Sequence, residues 1–187
     1  IDRLYCLASL KSRQLKVPFV INCYSMGCLL FLDLFKRRRE LGQSNLVDKA
    51  IVISPAFKVR SKVTWFSKFL KLFPSNWVIP SSNINSYRSQ FGTSTSSYRA
   101  FFELLESNRS LEFNPPKKKA FPETLILLNP KDELVDAQSI KKLFQNTDKL
   151  QFNWRLIEME NNHATTIKHI NHLLLDEPSL GKLKWLE

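Results

Sequence analysis

The sequence lacks the features that mark membrane-spanning and secreted chains. No apolar run reaches the ~18 residues that a membrane-spanning helix needs. The N-terminus begins Ile1-Asp2-Arg3-Leu4 and shows no charged segment followed by an apolar one, so no secretory signal is visible. An initiator Met is also missing, and we therefore expect these 187 residues to be a piece of a longer chain.

Cysteine is scarce as well. Cys6, Cys23 and Cys28 are too few and too clustered for a disulfide framework. Cys23 and Cys28 have no second ligand pair to complete a zinc site. We therefore expect reduced thiols and a cytoplasmic protein, with membrane association left open. Nothing in the sequence implies a metal or an organic cofactor.

Acidic side chains are outnumbered, since 28 Lys and Arg face 17 Asp and Glu and give a net charge of +11. This balance favours contact with anionic surfaces, namely nucleic acid, acidic lipid or an acidic partner, and it says nothing about the fold. The basic runs at 36–39 and 117–119 are more typical of solvated faces or connectors, so we expect no nucleic-acid partner.

Two kinds of apolar segment alternate along the chain. Short β-branched and aromatic runs predict strands, and apolar residues at helical spacing predict helices. The predicted strands lie at 17–22, 50–54, 124–128 and 152–158, and the predicted helices at 2–13, 27–35, 137–145 and 164–175. The alternation predicts an α/β fold with a doubly wound, mostly parallel sheet, in which the first strand is buried on both faces.

Residues 56–120 interrupt this alternation. They mix aromatic residues with Lys, Arg, Ser and Asn, and they show no clear strand. Amphipathic helices are predicted at 61–73 and 98–106. We interpret residues 56–120 as a lid inserted between two core segments, 1–55 and 121–187.

The helix predicted at 61–73 combines aromatic and basic side chains. The segment also contains Trp65. Phe66, Phe69, Leu70 and Phe73 fall on one helical face, whereas the lysines fall largely elsewhere: Lys62, Lys68 and Lys71. One interpretation is a lid helix that packs its apolar face on the core. The other is a basic amphipathic helix that contacts an anionic membrane surface. Both fit an acyl-lipid substrate, which needs an apolar pocket under a lid.

The strongest local pattern is Cys23-Tyr24-Ser25-Met26-Gly27, which stands between a predicted strand and an apolar helix. A serine on a sharp strand-to-helix turn is the nucleophile arrangement of many hydrolases, and small residues two before and two after it allow close approach. The Met26 N–H could donate to a developing oxyanion. The alternative is that Ser25 only caps the helix, as serine often does.

A serine nucleophile needs a base, and the base needs an orienting carboxylate. Asp132 follows the strand at 124–128, and His163 follows the strand at 152–158, in the order Ser, Asp, His. Glu133 and Asp136 compete for the acid role, although Asp136 is better explained as the N-cap of the next helix. The two remaining histidines, His169 and His172, lie within the last predicted helix.

These motifs resemble the α/β-hydrolase superfamily, and within it the monoacylglycerol lipase and lysophospholipase group. Its elbow usually reads Gly-His-Ser-Met-Gly-Gly, and Ser25, Met26 and Gly27 match that motif. Asn129 stands where the family has a Gly before the acid, and Asn162 stands where it has a Gly before the histidine. The resemblance covers residues 1 to about 175, but only the later portion of the family fold.

The resemblance implies a serine hydrolase that cleaves a carboxylic ester of an acyl lipid. Ser25 would be the nucleophile, His163 the base and Asp132 its orienting acid, with Met26 N–H in the oxyanion hole and Tyr24 with the lid aromatics lining the pocket. The family's first strands and its His-Gly oxyanion loop have no counterpart. We expect an upstream segment or a partner chain to complete the sheet; otherwise the chain is a non-catalytic relative that binds a lipid surface or a protein.

Overall fold

The computed structural model describes residues 2–80, 92–108, 122–132, 134–148 and 154–158, with the side chains of 146–148 and 154 excepted. In chain order the elements are α1 (Asp2–Leu15), β1 (Val20–Tyr24), α2 (Met26–Glu40), β2 (Lys49–Ile53), α3 (Ser61–Phe69), a 3₁₀ turn (Leu70–Leu72), β3 (Val78–Pro80), β4 (Gly92–Ser94), α4 (Thr95–Ser107), β5 (Glu123–Leu128), α5 (Ala137–Asp148) and β6 (Trp154–Glu158). The helix predicted at 164–175 lies outside the described residues.

Four strands form the main sheet in the order β1-β2-β5-β6, and all of their pairings are parallel. Helices connect the strands, since parallel neighbours need crossover connections. The predicted α/β fold with a mostly parallel sheet is thus confirmed. Tyr24 pairs with Ile53, and Ile53 pairs with Leu127, so these strands end at one level. The segments that leave them therefore meet at the same edge.

The strand β1 differs from its prediction. The sequence predicts burial on both faces, and this prediction is wrong, because Cys23 is the one buried residue of the strand and Val20 is 44% exposed. Within the described sheet, β1 is an edge strand that pairs with β2 alone. An apolar run identifies a strand, but the run does not tell whether a neighbour lies on each side.

The core lies on one face of the sheet, where α2 and α5 pack against the strands. Its buried members are Cys23, Cys28, Ala50, Val52, Ile126, Leu128, Val135, Ile140 and Phe144. A second cluster lies between α1, α2 and the loop before β2, and it includes Tyr5, Leu34, Phe35 and Val47. Because strand side chains alternate between faces, Ile53 and Leu127 form a smaller cluster on the other face.

The described elements between β2 and β5 form the cap: α3, the 3₁₀ turn, the β3–β4 hairpin and α4. The sequence predicts no clear strand here, and the antiparallel hairpin corrects that prediction. Its strands have only three residues each, too few to show a period of two. Gly92 permits the pairing, because a Cβ there would lie 2.2 Å from the Ile79 carbonyl oxygen.

Arg99 ties the cap together. Its guanidinium donates to the carbonyl oxygens of Leu70 (2.7 Å) and Phe73 (2.5 Å), and to Ser75 Oγ (3.0 Å). A planar guanidinium with several fixed donors suits this role, because it bonds two carbonyls of the 3₁₀ turn region and a side chain at once. The cap limits at 56 and 120 stay predictions. Among the described helices, none combines the length and the apolar character that crossing a bilayer requires.

Asp136 confirms its predicted role at the start of α5. Its Oδ1 accepts a hydrogen bond from the Ser139 N–H at 3.0 Å, and its Oδ2 accepts one from Ser139 Oγ at 2.6 Å. The hydroxyl and then the N–H of Ser139 lower the pKa of Asp136. A lowered pKa means that folding favours the ionised carboxylate, so its contribution to stability is present above the unfolded-state pKa and is lost as pH falls through the folded-state value.

Asp136→Ala should lower the free energy of unfolding by about 0.5–2 kcal/mol at neutral pH, because the first turn of α5 loses its cap. The difference from wild type should narrow as pH falls below about 4, where the carboxyl becomes protonated. Urea denaturation of both proteins at pH 7 and pH 3 measures this. Asp136→Asn is the control, since it keeps an acceptor without the titration. Equal stabilities of wild type and Asp136→Ala at pH 7 would contradict the assignment.

Candidate active site

Ser25 occupies the turn between β1 and α2 in a conformation that residues with a side chain rarely adopt. Its φ is 49° and its ψ is −118°. Holding a non-glycine residue there costs about 1–3 kcal/mol, so the surroundings must impose it. The Ser25 N–H donates to the Ile53 carbonyl at 3.0 Å, and the Ser25 carbonyl accepts from Cys28 N–H and Ala56 N–H, each at 3.1 Å. The turn is therefore bonded to the end of β2.

The same geometry bears on the alternative that Ser25 only caps α2. An ordinary N-cap residue has extended backbone, and its side chain accepts a hydrogen bond from the first turn. Ser25 has a positive φ, and its side chain makes no capping hydrogen bond to the described first turn of α2. Ser94, which precedes α4, shows the ordinary arrangement, with φ −67° and a bond from Ser97 N–H to its side chain. The comparison favours the elbow interpretation of Ser25.

Met26 is the first residue of α2. The N–H groups of a first helical turn have no acceptor within the helix, and the helix dipole places partial positive charge beside them. The Met26 N–H is therefore suited to stabilise an oxyanion that forms next to Ser25. The Met26 side chain is 47% exposed, so the turn opens toward solvent.

Asp132 lies in the loop after β5 and is only 1% exposed. Its Oδ1 accepts hydrogen bonds from the N–H groups of Leu134 and Val135, both at 2.9 Å. The loop is in turn paired with the start of the cap, where Arg60 N–H donates to the Leu134 carbonyl at 3.0 Å. The orientation of this carboxylate is therefore fixed by backbone groups. Asn129, which stands in place of the family glycine, is buried and accepts from Lys131 N–H.

Ser25 and Asp132 lie at the same edge of the sheet, since each follows a strand whose end is level with β2. The strands β1 and β5 flank β2, so they are about 10 Å apart at a spacing of 4.7–4.9 Å per strand. A catalytic triad would need a third side chain between Ser25 and Asp132. His163, predicted for that role, lies outside the described residues, as does Glu133. It follows β6, which pairs with β5 and runs parallel to it.

The four side chains predicted to line a pocket have different surroundings. Tyr24 packs against Ile53 and Leu127 on the sheet face opposite the main core. The Phe66 ring lies 6.0 Å from the Tyr98 ring and so faces α4. The rings of Trp65 and Phe69 contact each other in a tilted arrangement with centroids 4.4 Å apart, and both side chains are exposed. The cap helix thus divides its aromatic residues between an inner and an outer side.

The structure corrects the prediction of reduced thiols for two cysteines. Cys23 and Cys28 form a disulfide across the turn that carries Ser25, with their Cα atoms 4.9 Å apart. The sharp reversal from β1 into α2 brings residues five apart within bridging distance. A pair of cysteines flanking a sharp turn was the available signal, but sequence spacing alone does not give the reversal. Cys6 stays a thiol. The described residues contain no cluster of three metal-binding side chains.

Gly27 does not show the close approach of neighbouring atoms that the elbow motif predicts at this position. A Cβ placed on Gly27 would meet no described atom within 4 Å, and its φ is not in the left-handed region. The first turn of α2 is exposed at this position. The close packing instead occurs at Cys23 and Cys28, whose side chains are buried.

Solved structures resemble this chain, whereas no protein-family model and no curated protein matches it. The monoacylglycerol lipase of Paleococcus ferrophilus is 12% identical with a TM-score of 0.57, and the match covers 99% of this chain and 74% of that one. A soluble variant of monoglyceride lipase from Saccharomyces cerevisiae is 11% identical with a TM-score of 0.66, covering 96% of this chain and 64% of that one. Human thioesterase 2 is 16% identical with a TM-score of 0.53, covering 99% and 77%.

The chain therefore spans about two thirds to three quarters of the length of these proteins. Identities this low establish the fold and no more. The matched structures share a mostly parallel sheet with connecting helices, which is the arrangement of β1, β2, β5 and β6 here. From its sheet order and from these likenesses, we conclude that the chain adopts the α/β-hydrolase fold.

Proposed function

We propose that this protein is a serine hydrolase that cleaves a carboxylic ester of an acyl lipid, of the monoacylglycerol or lysophospholipid class. The observation that carries the proposal is the backbone of Ser25, whose φ of 49° occurs at a strand-to-helix turn. A strained serine at this point of an α/β-hydrolase sheet presents its hydroxyl above the strand ends. A fold shared with lipases and esterases supports the reaction class.

In the proposed mechanism, Ser25 Oγ attacks the acyl carbonyl carbon while His163 accepts the hydroxyl proton. The carbonyl oxygen becomes an oxyanion, which the Met26 N–H stabilises. The C–O bond of the ester then breaks, and the imidazolium returns its proton to the leaving alcohol. Water attacks the acyl-enzyme with the same base, which releases the fatty acid and restores Ser25. Asp132, held by two backbone N–H groups, orients the histidine.

The substrate class rests on the cap and on the matched structures. Two of these are described as a monoacylglycerol lipase and a monoglyceride lipase with a substrate analog. Aromatic residues of α3 lie on both sides of the cap helix, and Phe66 packs toward α4. An apolar cap suits an acyl chain, since ligand sites for such groups are concave and mostly apolar. The mechanism needs no metal or organic cofactor.

A second candidate is a hydrolase-like module that binds a lipid surface or a protein without catalysis. In the described sheet, β1 pairs on one side only, which favours this candidate, because an unpaired strand edge pairs readily with another chain. Three leucines of α1 are also exposed: Leu4, Leu7 and Leu10. A further segment or a partner chain that pairs with β1 is proposed in both candidates. Chemical reactivity of Ser25 separates them.

An active-site-directed fluorophosphonate should label wild-type protein at Ser25, and Ser25→Ala should lower the labelling rate at least about 10³-fold. Ser54→Ala is the matched control, because Ser54 also follows a strand end with a positive φ, and its buried Oγ has no hydrogen-bond partner among the described residues. That variant should keep wild-type labelling. Gel fluorescence and peptide mass mapping give the rate and the position. Equal labelling of wild type and Ser25→Ala would exclude Ser25 as the nucleophile.

We also propose that the outer side of the cap contacts an anionic membrane surface. Its exposed apolar residues include Trp65 (62% exposed), Phe69 and Leu72 (77% exposed), with Trp77 and Val78 nearby along the chain. The exposed lysines Lys62, Lys68 and Lys71 belong to the same helix and turn. Adjacent bulky apolar and basic groups are the composition of interfacial helices, whose binding combines buried area with attraction to acidic lipid.

Replacing Trp65, Phe69 and Leu72 together by Ser should weaken binding to phosphatidylserine-containing vesicles and leave hydrolysis of a short soluble ester intact. Phe66→Ser is the matched control, because Phe66 faces Tyr98 and its loss should lower the melting temperature instead. Binding of the wild type should fall steeply with salt, since each lysine near an acidic bilayer contributes about 1 kcal/mol. Vesicle co-sedimentation measures the binding of each protein, and thermal melts measure its melting temperature. Unchanged vesicle binding by the triple variant would rule out the membrane contact.

A further inference from the structure

The disulfide spans the proposed nucleophile. Cys23 lies two residues before Ser25, in β1, where it pairs with Val52 of β2. Cys28 lies three residues after Ser25, in the first turn of α2. The bond between them therefore connects the strand to the helix across the turn that sets the Ser25 backbone.

Both ends of this cross-link are held in the core. Cys23 and Cys28 belong to the buried cluster that joins the sheet to α5, and Cys28 is 0% exposed. The Cys28 sulfur also lies 3.9 Å from the Ile53 carbonyl oxygen, at the end of β2. Interiors are close-packed, so neither end can move without displacing its neighbours. The cross-link thus limits the angle between β1 and the first turn of α2.

Ser25 needs such a restraint. Its conformation is one that a residue with a Cβ adopts only when its surroundings impose it. The hydrogen bonds at Ile53 and Ala56 hold the Ser25 backbone to the end of β2. The Cys28 N–H donates to the Ser25 carbonyl and so ties the first turn of α2, from which the Met26 N–H would act, to Ser25. The disulfide adds a covalent link between that turn and β1.

We propose that the Cys23–Cys28 disulfide is a positioning element for Ser25, so that efficient hydrolysis requires the oxidised pair. The inference rests on the proposed function, which it deepens. Cys23 and Cys28 touch no reacting atom; they act through the turn between them. In reduced protein, the hydroxyl of Ser25 and the Met26 N–H would lose their fixed relation, and a displacement of about 1 Å can cost about 10²-fold in rate.

The redox chemistry requires an external partner. When the bond forms, two thiols lose two protons and two electrons to a small-molecule disulfide such as oxidised glutathione, which becomes two thiols. A dithiol reductant reverses the reaction. Because both sulfurs are buried, exchange requires local opening of the turn, and a bond formed during folding is protected from mild reductants.

The first test compares kinetics on a short soluble ester. We expect full reduction of the 187-residue chain to lower kcat about 10- to 100-fold with little change in KM, and oxidised glutathione to restore it. The double variant Cys23→Ala/Cys28→Ala should match the reduced protein and ignore both reagents. Cys6→Ala is the control, since Cys6 is a thiol outside the turn, and it should respond like wild type. If the cross-link had a merely structural role, its loss would lower the melting temperature. The kcat, counted per molecule able to react with the fluorophosphonate, would then stay the same.

The second test does not depend on activity. Peptide mapping of oxidised, unreduced protein should find the Cys23–Cys28 link, and amide hydrogen exchange of residues 26–28 should rise at least about tenfold on reduction while β5 is unchanged. If the oxidised chain is inert, hydrogen exchange still decides the role of the cross-link in the turn. The proposed function is refuted only if the chain stays inert after the segment or partner that pairs with β1 is supplied. The inference would be overturned if peptide mapping found no Cys23–Cys28 link. It would also be overturned if reduction left the hydrogen exchange of residues 26–28 unchanged in an inert chain, or left kcat unchanged in an active one.

Discussion

The pairing of three strand ends is the constraint on which the candidate site depends. The Ser25 N–H donates to the Ile53 carbonyl, and the Ser54 N–H donates to the Leu127 carbonyl at 2.9 Å. These two bonds continue the parallel ladders one step beyond β1 and β2. Both serines then turn away with positive φ, 49° and 40°. The chain therefore leaves β1 and β2 at the same level, and the ends of these strands form the base of the candidate site.

Two other parts of the candidate site are positioned by these strand ends. On one side α2 begins at once at Met26, so the N-terminus of the helix points toward the strand ends. On the other side the loop after β5 carries Asp132, and antiparallel pairing of Val59 with Val135 ties that loop to the start of the cap. The cap and the acid loop are thus parts of one backbone arrangement. A displacement of either would move the other.

Much of this arrangement could be predicted from the sequence. Strands and helices follow from local periodicity, and Asp136 was identified as a cap because an acidic residue directly precedes a helical pattern. The small neighbours of Ser25 and the elements on either side of it predict the sharp strand-to-helix turn that carries it. The edge position of β1 in the described sheet follows from the lack of the family's first strands in the sequence. The disulfide could not be predicted, because it depends on which segments become neighbours in space. Local patterns carry no information on that. His163 stays a prediction.

The cap shows how a helical wheel can fail over a short distance. The sequence predicts one helix over 61–73, with Phe66 and Phe69 on a common face. The α-helix instead ends at Phe69, and the 3₁₀ turn that follows buries Leu70 and leaves Leu72 exposed. A 3₁₀ turn has three residues per turn, so it rotates the side chains that follow relative to an α-helix. Phe66 and Phe69 lie within the α-helix itself and still have different partners, since Phe66 packs toward Tyr98 of α4 while Phe69 contacts Trp65 at the surface.

The cross-linked turn also bears on the energetics of the strained serine. A conformation such as that of Ser25 costs the folded state about 1–3 kcal/mol. A disulfide that closes a loop of about six residues stabilises the folded state by about 2 kcal/mol in the chain-entropy model, because it restricts the unfolded chain. The two effects are similar in size and opposite in sign. The hydrogen bonds to β2 select the conformation of Ser25, and the cross-link, acting on the unfolded state, offsets much of the cost of keeping it.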